Sequence, residues 1–190
     1  MIENQVPILK GRNVKVRILR PTEFTRLHES ARRLENKTLL DACLLLGARF
    51  VECKRIQENP SWFDGRFIHL PSGAQKKKRS LQLERWIRIG AIGQAILPYF
   101  FEAKQLPLII AWNENLLRWS RRAGLDPTGI TSRCLRKTYE SWLVFSFPAA
   151  TTLVYLSQGH TTLTSLQHYV NLPFLEEDKK AMKPWVDGWI

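Results

Sequence analysis

Residue types suited to phosphoryl-transfer chemistry occur in four separate segments of this sequence. They are a tyrosine, a histidine, arginines and lysines, which can act on a phosphate without a metal ion. In chain order they are Arg49 in "GARFVE", Lys76, Lys77, Lys78 and Arg79 in "AQKKKR", Arg133, Arg136 and Lys137 in "SRCLRKT", and His160 and Tyr169 in "GHTTLTSLQHY".

Each segment has an ordinary interpretation when it is taken alone. Arg49 can be a charge at the end of an apolar helix that pairs with Glu52 three residues later. The lysine run can be a solvated turn, and Arg133 and Arg136, which share one helix face, can lie along a nucleic-acid backbone. Tyr169 can be an amphipathic tyrosine with its ring packed and its hydroxyl in water.

Together the segments supply what a tyrosine needs in order to attack a phosphodiester. The transition state gains charge on its nonbridging oxygens, which guanidinium groups and a histidine can stabilise. The tyrosine displaces a 5′-oxygen, which a lysine protonates, and it retains the 3′-phosphate as an ester. Because that ester conserves the energy of the broken bond, the residues predict a reaction that needs no ATP, with cations in place of metal ions.

The first half of the chain is predicted to hold these residues on helices and a hairpin. Hydrophobic spacing predicts a helix over residues 20–36 with Thr22 as a possible N-cap. A second, apolar helix is predicted to start at Thr38 and to end near Arg49.

The hairpin and the second half of the chain follow a different pattern. Residues 66–71 and 80–84 are predicted to be two short strands whose connecting tip carries the lysines. From Trp86 onward the pattern is mainly helical, and Gly124 and Gly159 are predicted helix stops. A closing helix starts after Gly159 and contains the tyrosine. The predicted fold class is therefore mainly α with a small antiparallel β-sheet.

The amino-acid composition indicates which binding partners and which cellular environment suit this chain. The chain has 190 residues, and 29 Lys and Arg against 17 Asp and Glu give a formal net charge of +12. This charge favours nucleic acid as the partner, with a membrane surface second and a ribosomal or chaperone-like role third. Three cysteines without a C-x-x-C pair favour a reduced, intracellular protein without structural zinc. We see neither a signal-peptide pattern nor the run of about 20 apolar residues that a membrane span needs.

In this order, the four segments resemble the conserved boxes of the catalytic domain of tyrosine recombinases, the phage-integrase family. "GARFVE" is similar to the first-arginine box, G-x-R-x-x-E, and the lysine-rich tip to the β-hairpin lysine. "RCLRKT" resembles the box H-x-x-R, and "GHTTLTSLQHY" the closing G-H…Tyr segment with its nine-residue step. The resemblance covers residues 22–172 and implies the integrase catalytic-domain fold.

The resemblance also implies a role for each residue of the site. Arg49 and Arg136 would clamp the scissile phosphate, His160 would donate a hydrogen bond to it, and Tyr169 would be the nucleophile. Glu52 would be a structural partner close to the site.

The lysine-rich tip would supply the general acid. Lys76 is the first choice and Lys77 the second, because the register of the loop is ambiguous. No cofactor and no metal are implied. The remaining basic residues would contact DNA, namely Lys77, Lys78, Arg79 and Lys137.

The resemblance further implies partners and a domain organisation. The partner would be double-stranded DNA, with self-association as a dimer or tetramer on DNA and neither a membrane nor a small-molecule substrate. Residues 1–21 would be an N-terminal segment, 22–172 the catalytic domain and 173–190 a C-terminal tail. That tail would either dock on a neighbouring subunit or pack back on its own domain. The expected location is the cytoplasm, at the nucleoid, or the host cell of a virus or mobile element.

Two features depart from the family pattern. Arg133 occupies the first position of the H-x-x-R box, and a guanidinium can stabilise charge but is a poor general base. A basic residue here resembles some archaeal and viral integrases. About 20 residues precede the first predicted helix, where the family usually has a DNA-clamping domain, which indicates either an excised catalytic fragment or a short form that relies on a partner.

Two alternatives to a recombinase remain open from the sequence. A type IB topoisomerase-like enzyme nicks and reseals DNA with a similar residue set. A catalytically inactive integrase relative would bind DNA without cleaving it, and Arg133 is the feature that keeps this alternative in view.

Overall fold

The computed structural model of the chain describes residues 16–75, 84–159 and 174–190. In these ranges the protein is mainly helical, with one two-stranded antiparallel sheet, as predicted. The helices are α1 (Pro21–Ser30), α2 (Leu34–Leu45), α3 (Phe50–Glu58), α4 (Ala91–Glu102), α5 (Ile109–Arg122), α6 (Ser132–Ser146), α7 (Thr151–Gln158) and α8 (Glu176–Val186), and the strands are β1 (Phe67–Leu70) and β2 (Arg85–Arg88).

Two helices form the centre of the molecule. Every residue of α2 from Leu39 to Leu45 is buried and all but Asp41 are apolar, which is typical of a helix at the centre of a domain. α2 packs against α1, α4 and α6, and α6 in turn packs against α5, α7 and α8. Trp142 of α6 is fully buried and donates its indole N–H to the carbonyl of Leu19 at 3.0 Å. This packing fixes the ends of α2 and α6, where the candidate site lies.

The first two helices differ from the predicted pair. α1 begins at Pro21 and ends at Ser30, and residues 34–36 belong to α2, so the single helix predicted over residues 20–36 is wrong after Ser30. Pro21 suits a first helical position, and Glu23 accepts the backbone N–H of Arg20 at 2.9 Å, so Thr22 is not the N-cap. A residue of another helix stabilises the break between α1 and α2: Arg122 of α5 donates to the carbonyl of Ser30 at 2.8 Å.

α2 starts four residues before the predicted start at Thr38. The Thr38 hydroxyl does not cap the helix but donates to the carbonyl of Leu34, one turn back, at 3.1 Å. Leu34, which falls in the helix predicted over residues 20–36, is instead 80% exposed in the first turn of α2.

Two antiparallel strands are present where the hairpin is predicted. β1 pairs with β2 so that Phe67 is opposite Arg88 and Leu70 is opposite Arg85. The first predicted strand, 66–71, is confirmed. Of the second predicted strand, 80–84, residues 80–83 lie outside the described ranges and Glu84 is not in a strand. The described second strand is Arg85–Arg88, so helix does not begin at Trp86. Arg85 and Ile87 are the buried positions of β2. A buried arginine hides the alternation of polar and apolar residues that would reveal the strand.

The C-terminal tail packs on its own chain. α8 contacts α1, α4 and α6. Arg20 forms an ion pair with Asp178 at 2.7 Å, and the backbone N–H of Ala91 donates to the carbonyl of Asp187 at 2.8 Å. Trp189 is 1% exposed. Within the described ranges, no helix is both long and apolar enough to cross a membrane.

Candidate active site

Arg49 lies at the start of α3 rather than at the end of α2, which corrects the predicted position. α2 ends at Leu45, and Arg49 is the extended residue immediately before the first turn of α3. A cation is unfavourable at a helix N-terminus, so the helix dipole does not explain this arginine. Glu52, in the same turn, offsets the charge: it accepts the backbone N–H of Arg49 at 2.9 Å and its Nη1 at 2.9 Å. The predicted pairing of these two residues is confirmed.

Three arginines from distant parts of the chain meet at the buried carboxylate of Glu52. Arg85 of β2 donates Nη2 to Oε2 of Glu52 at 2.9 Å, and both side chains are completely buried. Nη1 of Arg136, on α6, lies 4.0 Å from the same oxygen. The structure therefore brings Arg49 and Arg136, two of the predicted phosphate-binding residues, to one cluster.

The ionisation of the cluster follows from burial and charge. Burial alone would raise the pKa of Glu52, but the charges of Arg85 and Arg49 and the hydrogen bonds they donate lower it to about 2. For Arg136, burial and then the neighbouring charge of Arg85 lower the pKa to about 10, against the opposing effect of Glu140. At neutral pH Glu52 is therefore anionic and Arg136 cationic.

Arg136 also joins the end of α2 to the end of α7. It donates Nη1 to the carbonyl of Gly47 at 3.0 Å and Nη2 to the carbonyl of Gln158. Arg85 donates Nη1 to the same Gln158 carbonyl at 3.3 Å. This carbonyl belongs to the last residue of α7, where a helix leaves its C=O groups unpaired and carries partial negative charge.

Two glycines allow this close approach. Gly47 has a φ of +54°, and a Cβ there would lie 2.3 Å from Nε2 of Gln158. Gly159 has a φ of +66°, and a Cβ there would lie 2.6 Å from Nη1 of Arg85. Both backbone conformations are ones that glycine adopts without strain.

The position of Gly159 connects the arginine cluster to the closing sequence segment. Gly159 directly precedes His160 in the chain, so the chain enters the "GHTTLTSLQHY" segment beside Arg85 and Arg136. The other predicted site residues lie outside the part of the chain that the structure describes: Lys76, Lys77, Lys78, Arg79, His160 and Tyr169.

Arg133 and Lys137 lie on α6 with Arg136 but differ from it in environment. Arg133 is exposed and Lys137 half-buried, whereas Arg136 is 7% exposed. Among the described residues Arg133 forms neither a hydrogen bond nor an ion pair with a side chain. Arg133, at the first position of the segment that resembles the H-x-x-R box, is thus exposed to solvent one helical turn before the buried Arg136.

Arg85 is the member of the cluster that sequence reasoning missed. It carries no motif, and it lies just outside the strand predicted over residues 80–84. The signal that could have found it is its phase with Ile87, because residues two apart on a strand share a face. An arginine on the buried face of a strand requires an anionic partner.

The cluster has the charge and the donor groups to hold an anion at its edge. The three arginines exceed the two nearby buried glutamates, Glu52 and Glu140, so the local charge is positive. The Arg49 side chain is 21% exposed. Among the described residues, Nη1 is the only atom of its guanidinium that forms a hydrogen bond, which it donates to Glu52. The remaining guanidinium N–H groups can donate to phosphate oxygens in the planar, bidentate geometry that arginine favours.

Comparisons with known proteins give no further identification. No protein-family model matches the chain, and no match was found among curated proteins or among solved structures. Within the described residues, no group of three or more His, Cys, Asp or Glu side chains could hold a metal ion.

Proposed function

We propose that this chain is the catalytic domain of a tyrosine recombinase, with the integrase catalytic-domain fold, which cleaves and rejoins DNA through a 3′-phosphotyrosyl link. One observation carries the proposal. Arg49 and Arg136, from two motifs that are distant in sequence, meet at Glu52, and the carbonyl of Gln158, two residues before His160, accepts hydrogen bonds from Arg136 and Arg85.

In the proposed reaction the Tyr169 oxygen attacks the phosphorus and forms a P–O bond as the bond to the 5′-oxygen breaks. Lys76, or Lys77 in the other loop register, gives a proton to the departing oxygen. Arg49 and Arg136 stabilise the charge on the nonbridging oxygens, and Arg136 is cationic at neutral pH because its pKa stays near 10. Attack by a 5′-hydroxyl on the phosphotyrosyl ester reverses these steps and joins the strands.

Glu52 has a positioning role in this account. Its carboxylate binds Arg49 at the surface and Arg85 in the interior, and its own charge is retained because its pKa is about 2. A guanidinium held by a fixed carboxylate loses little side-chain entropy when it binds a phosphate. Pre-organisation of this kind places the charge before the transition state forms.

Arg133 would stabilise phosphate charge rather than transfer protons. It is exposed one helical turn before Arg136, and a guanidinium stays protonated throughout the reaction. The Tyr169 proton would then pass to water or to a phosphate oxygen. Comparing Arg133→Ala with Arg133→His tests this role, and equal adduct formation by both variants and the wild type would reduce Arg133 to a simple DNA contact.

A nicked suicide substrate that carries the attachment site tests the proposal. The wild-type protein should form a covalent band at the 3′ end in the presence of EDTA. Arg49→Ala should slow adduct formation by about 10²–10³-fold, the usual cost of removing one transition-state donor. Lys180→Ala removes the same charge from the exposed face of α8 and should change the rate less than about twofold.

Other outcomes assign other functions. Equal rates for Arg49→Ala and Lys180→Ala would remove Arg49 from the phosphate site. Relaxation of supercoiled plasmid without strand exchange would assign a type IB topoisomerase-like activity. Binding of the site without any adduct would assign a catalytically inactive DNA-binding relative. Strand exchange between two sites would instead require several subunits on paired DNA.

A further inference from the structure

Four arginines surround a depression at the end of the molecule away from Glu52. It lies between the α1–α2 connection and the C-terminal half of α5, and its volume is about 410 Å³, within the range of ligand pockets. Its lining includes Arg32, Arg33, Arg118 and Arg122.

The depression is separate from the candidate active site. Arg33 directly precedes α2, whereas Gly47, which binds Arg136, follows the other end of that helix. The 12 residues of α2, at about 1.5 Å each, place the two groups roughly 18 Å apart. The depression therefore cannot bind the same phosphate as Arg136, and the proposed recombinase chemistry does not use it.

The charge of the depression is not neutralised by the described part of the chain. None of the four arginines forms an ion pair with a described acidic residue. The nearest acidic residues in sequence are Glu29, Glu35, Glu114 and Asp126, and none of them lines the depression. Glu35 instead accepts the backbone N–H of Lys104 at 3.0 Å. Four like charges at one site repel each other, and an anionic ligand would relieve that repulsion.

The walls of the depression are fixed by contacts between helices. Arg122 donates to the carbonyl of Ser30 at 2.8 Å, and the Ser30 hydroxyl donates to the carbonyl of Trp119 at 2.9 Å. These bonds tie the connection that carries Arg32 and Arg33 to α5. Asn36 and Asn115 add amide groups, so the lining offers neutral donors beside the cations.

We propose that this depression is a second anion site, which binds phosphate groups. Guanidinium groups match phosphate oxygens in pairs, and several arginines suit a ligand with several negative charges. Such phosphates come either from a free polyphosphate compound or from the backbone of a nucleic-acid segment outside the active site. The proposal does not depend on the recombinase assignment, because it uses none of the same residues.

Calorimetric titration of the full chain with tripolyphosphate tests the site. Arg118→Ala should weaken binding at least tenfold relative to Arg121→Ala. Arg121 is the matched control, since it is exposed on the same helix and does not line the depression. Because polyphosphate can also bind near Glu52, the difference between these variants is the diagnostic quantity. Arg32→Ala, on the opposite wall, should repeat the effect if Arg118→Ala is poorly folded.

Two further titrations decide the source and the chemistry of the ligand. If Arg118→Ala also weakens binding of a duplex DNA more than Arg121→Ala does, and lowers the salt slope by about one, the phosphates belong to nucleic acid. If duplex binding is the same for both variants, they belong to a free compound. Equal tripolyphosphate affinities for Arg118→Ala and Arg121→Ala, or tighter binding of citrate than of tripolyphosphate, would overturn the proposal.

Discussion

Glu52 is the residue on which the arginine cluster depends. Its carboxylate is completely buried and hydrogen-bonded to both Arg49 and Arg85, and Arg85 has no exposure to water of its own. Removing one partner of a buried ion pair leaves the other charge uncompensated, which costs more than the pair itself contributes.

Replacing Glu52 by glutamine should lower the free energy of unfolding by about 3 kcal/mol at neutral pH. A carboxyl whose pKa falls from the ordinary 4.5 to about 2 on folding contributes roughly this amount, at about 1.4 kcal/mol per pH unit. Urea denaturation measures the loss. Glu58→Gln, an exposed change on the same helix, should stay within about 0.5 kcal/mol of the wild type.

The same contribution should depend on pH with a defined sign. Because the folded pKa of Glu52 is depressed, its stabilisation is complete above pH 4.5 and disappears as the pH falls towards 2. The difference in stability between wild type and Glu52→Gln should therefore shrink over that window. A difference that stays constant from pH 6 to pH 2.5 would show that the carboxylate charge is not what stabilises the cluster.

At the residue scale the sequence revealed part of the cluster. The pairing of Arg49 with Glu52 follows from their spacing within one turn, so it could be predicted from "GARFVE" alone. For Arg85, its phase with Ile87 indicates a buried position, but its partners could not be predicted, because they come from tertiary contacts with Glu52 and with Gln158. Lys76, His160 and Tyr169 remain predictions.

The elements that carry the site meet at tight turns. The turn after α7 is closely packed, because it lies against Arg85. Gly159 follows α7 with a φ of +66° and lies against Arg85. Arg85 cannot move aside freely, since it is buried and bonded to Glu52 and to Gln158.

Gly159→Ala should therefore destabilise the protein by more than about 1–2 kcal/mol, which is the usual cost of the left-handed conformation alone, because the added Cβ would also meet the fixed Arg85 side chain. Thermal unfolding measures the change. Gly73→Ala is the control, because a Cβ at Gly73 would contact nothing within 4 Å. Equal effects of the two substitutions would mean that the turn after α7 is not tightly packed.

Helix ends were predictable where a local residue such as glycine determines them. They were not predictable where a contact from another helix determines them. Gly159 ends α7, and Gly124 follows the end of α5 with a φ of +66°, as their positions in the sequence predicted. The break between α1 and α2 depends on Arg122, which binds Ser30 from another helix. No local pattern reports such a contact, which is why one long helix was predicted there.

At the scale of the whole molecule, the C-terminal tail covers part of the core with Trp189. Trp189 is 1% exposed, lies 6.3 Å from the ring of Phe147 and has the Arg88 guanidinium 5.9 Å from its own ring. The tail thereby connects the residue that follows α6 to the hairpin strand β2, which also carries Arg85.

Trp189→Ala should lower the free energy of unfolding by about 3–5 kcal/mol, as for other large aromatic side chains removed from a core. Chemical denaturation provides the measurement. Trp86→Ala serves as the control, because Trp86 is 51% exposed and should cost less than about 1 kcal/mol. Comparable losses for both would indicate that the tail contributes little to stability.

The mainly helical class with one hairpin was predictable at the scale of the whole molecule, because it follows from hydrophobic periodicity along each segment. The packing of the tail on its own chain was not, since charge and aromatic residues in 174–190 suit either a neighbour or the same domain. Arg20 and Asp178 decide it by pairing across the chain.

The central claim, that Tyr169 becomes covalently joined to DNA, is tested most directly by mass spectrometry of the protease-digested adduct from the suicide substrate. We predict a nucleotide phosphate on the peptide that contains Tyr169, and no adduct from Tyr169→Phe under the same EDTA-containing conditions. A nucleotide on any other residue, or an undiminished adduct from Tyr169→Phe, would contradict the proposed function.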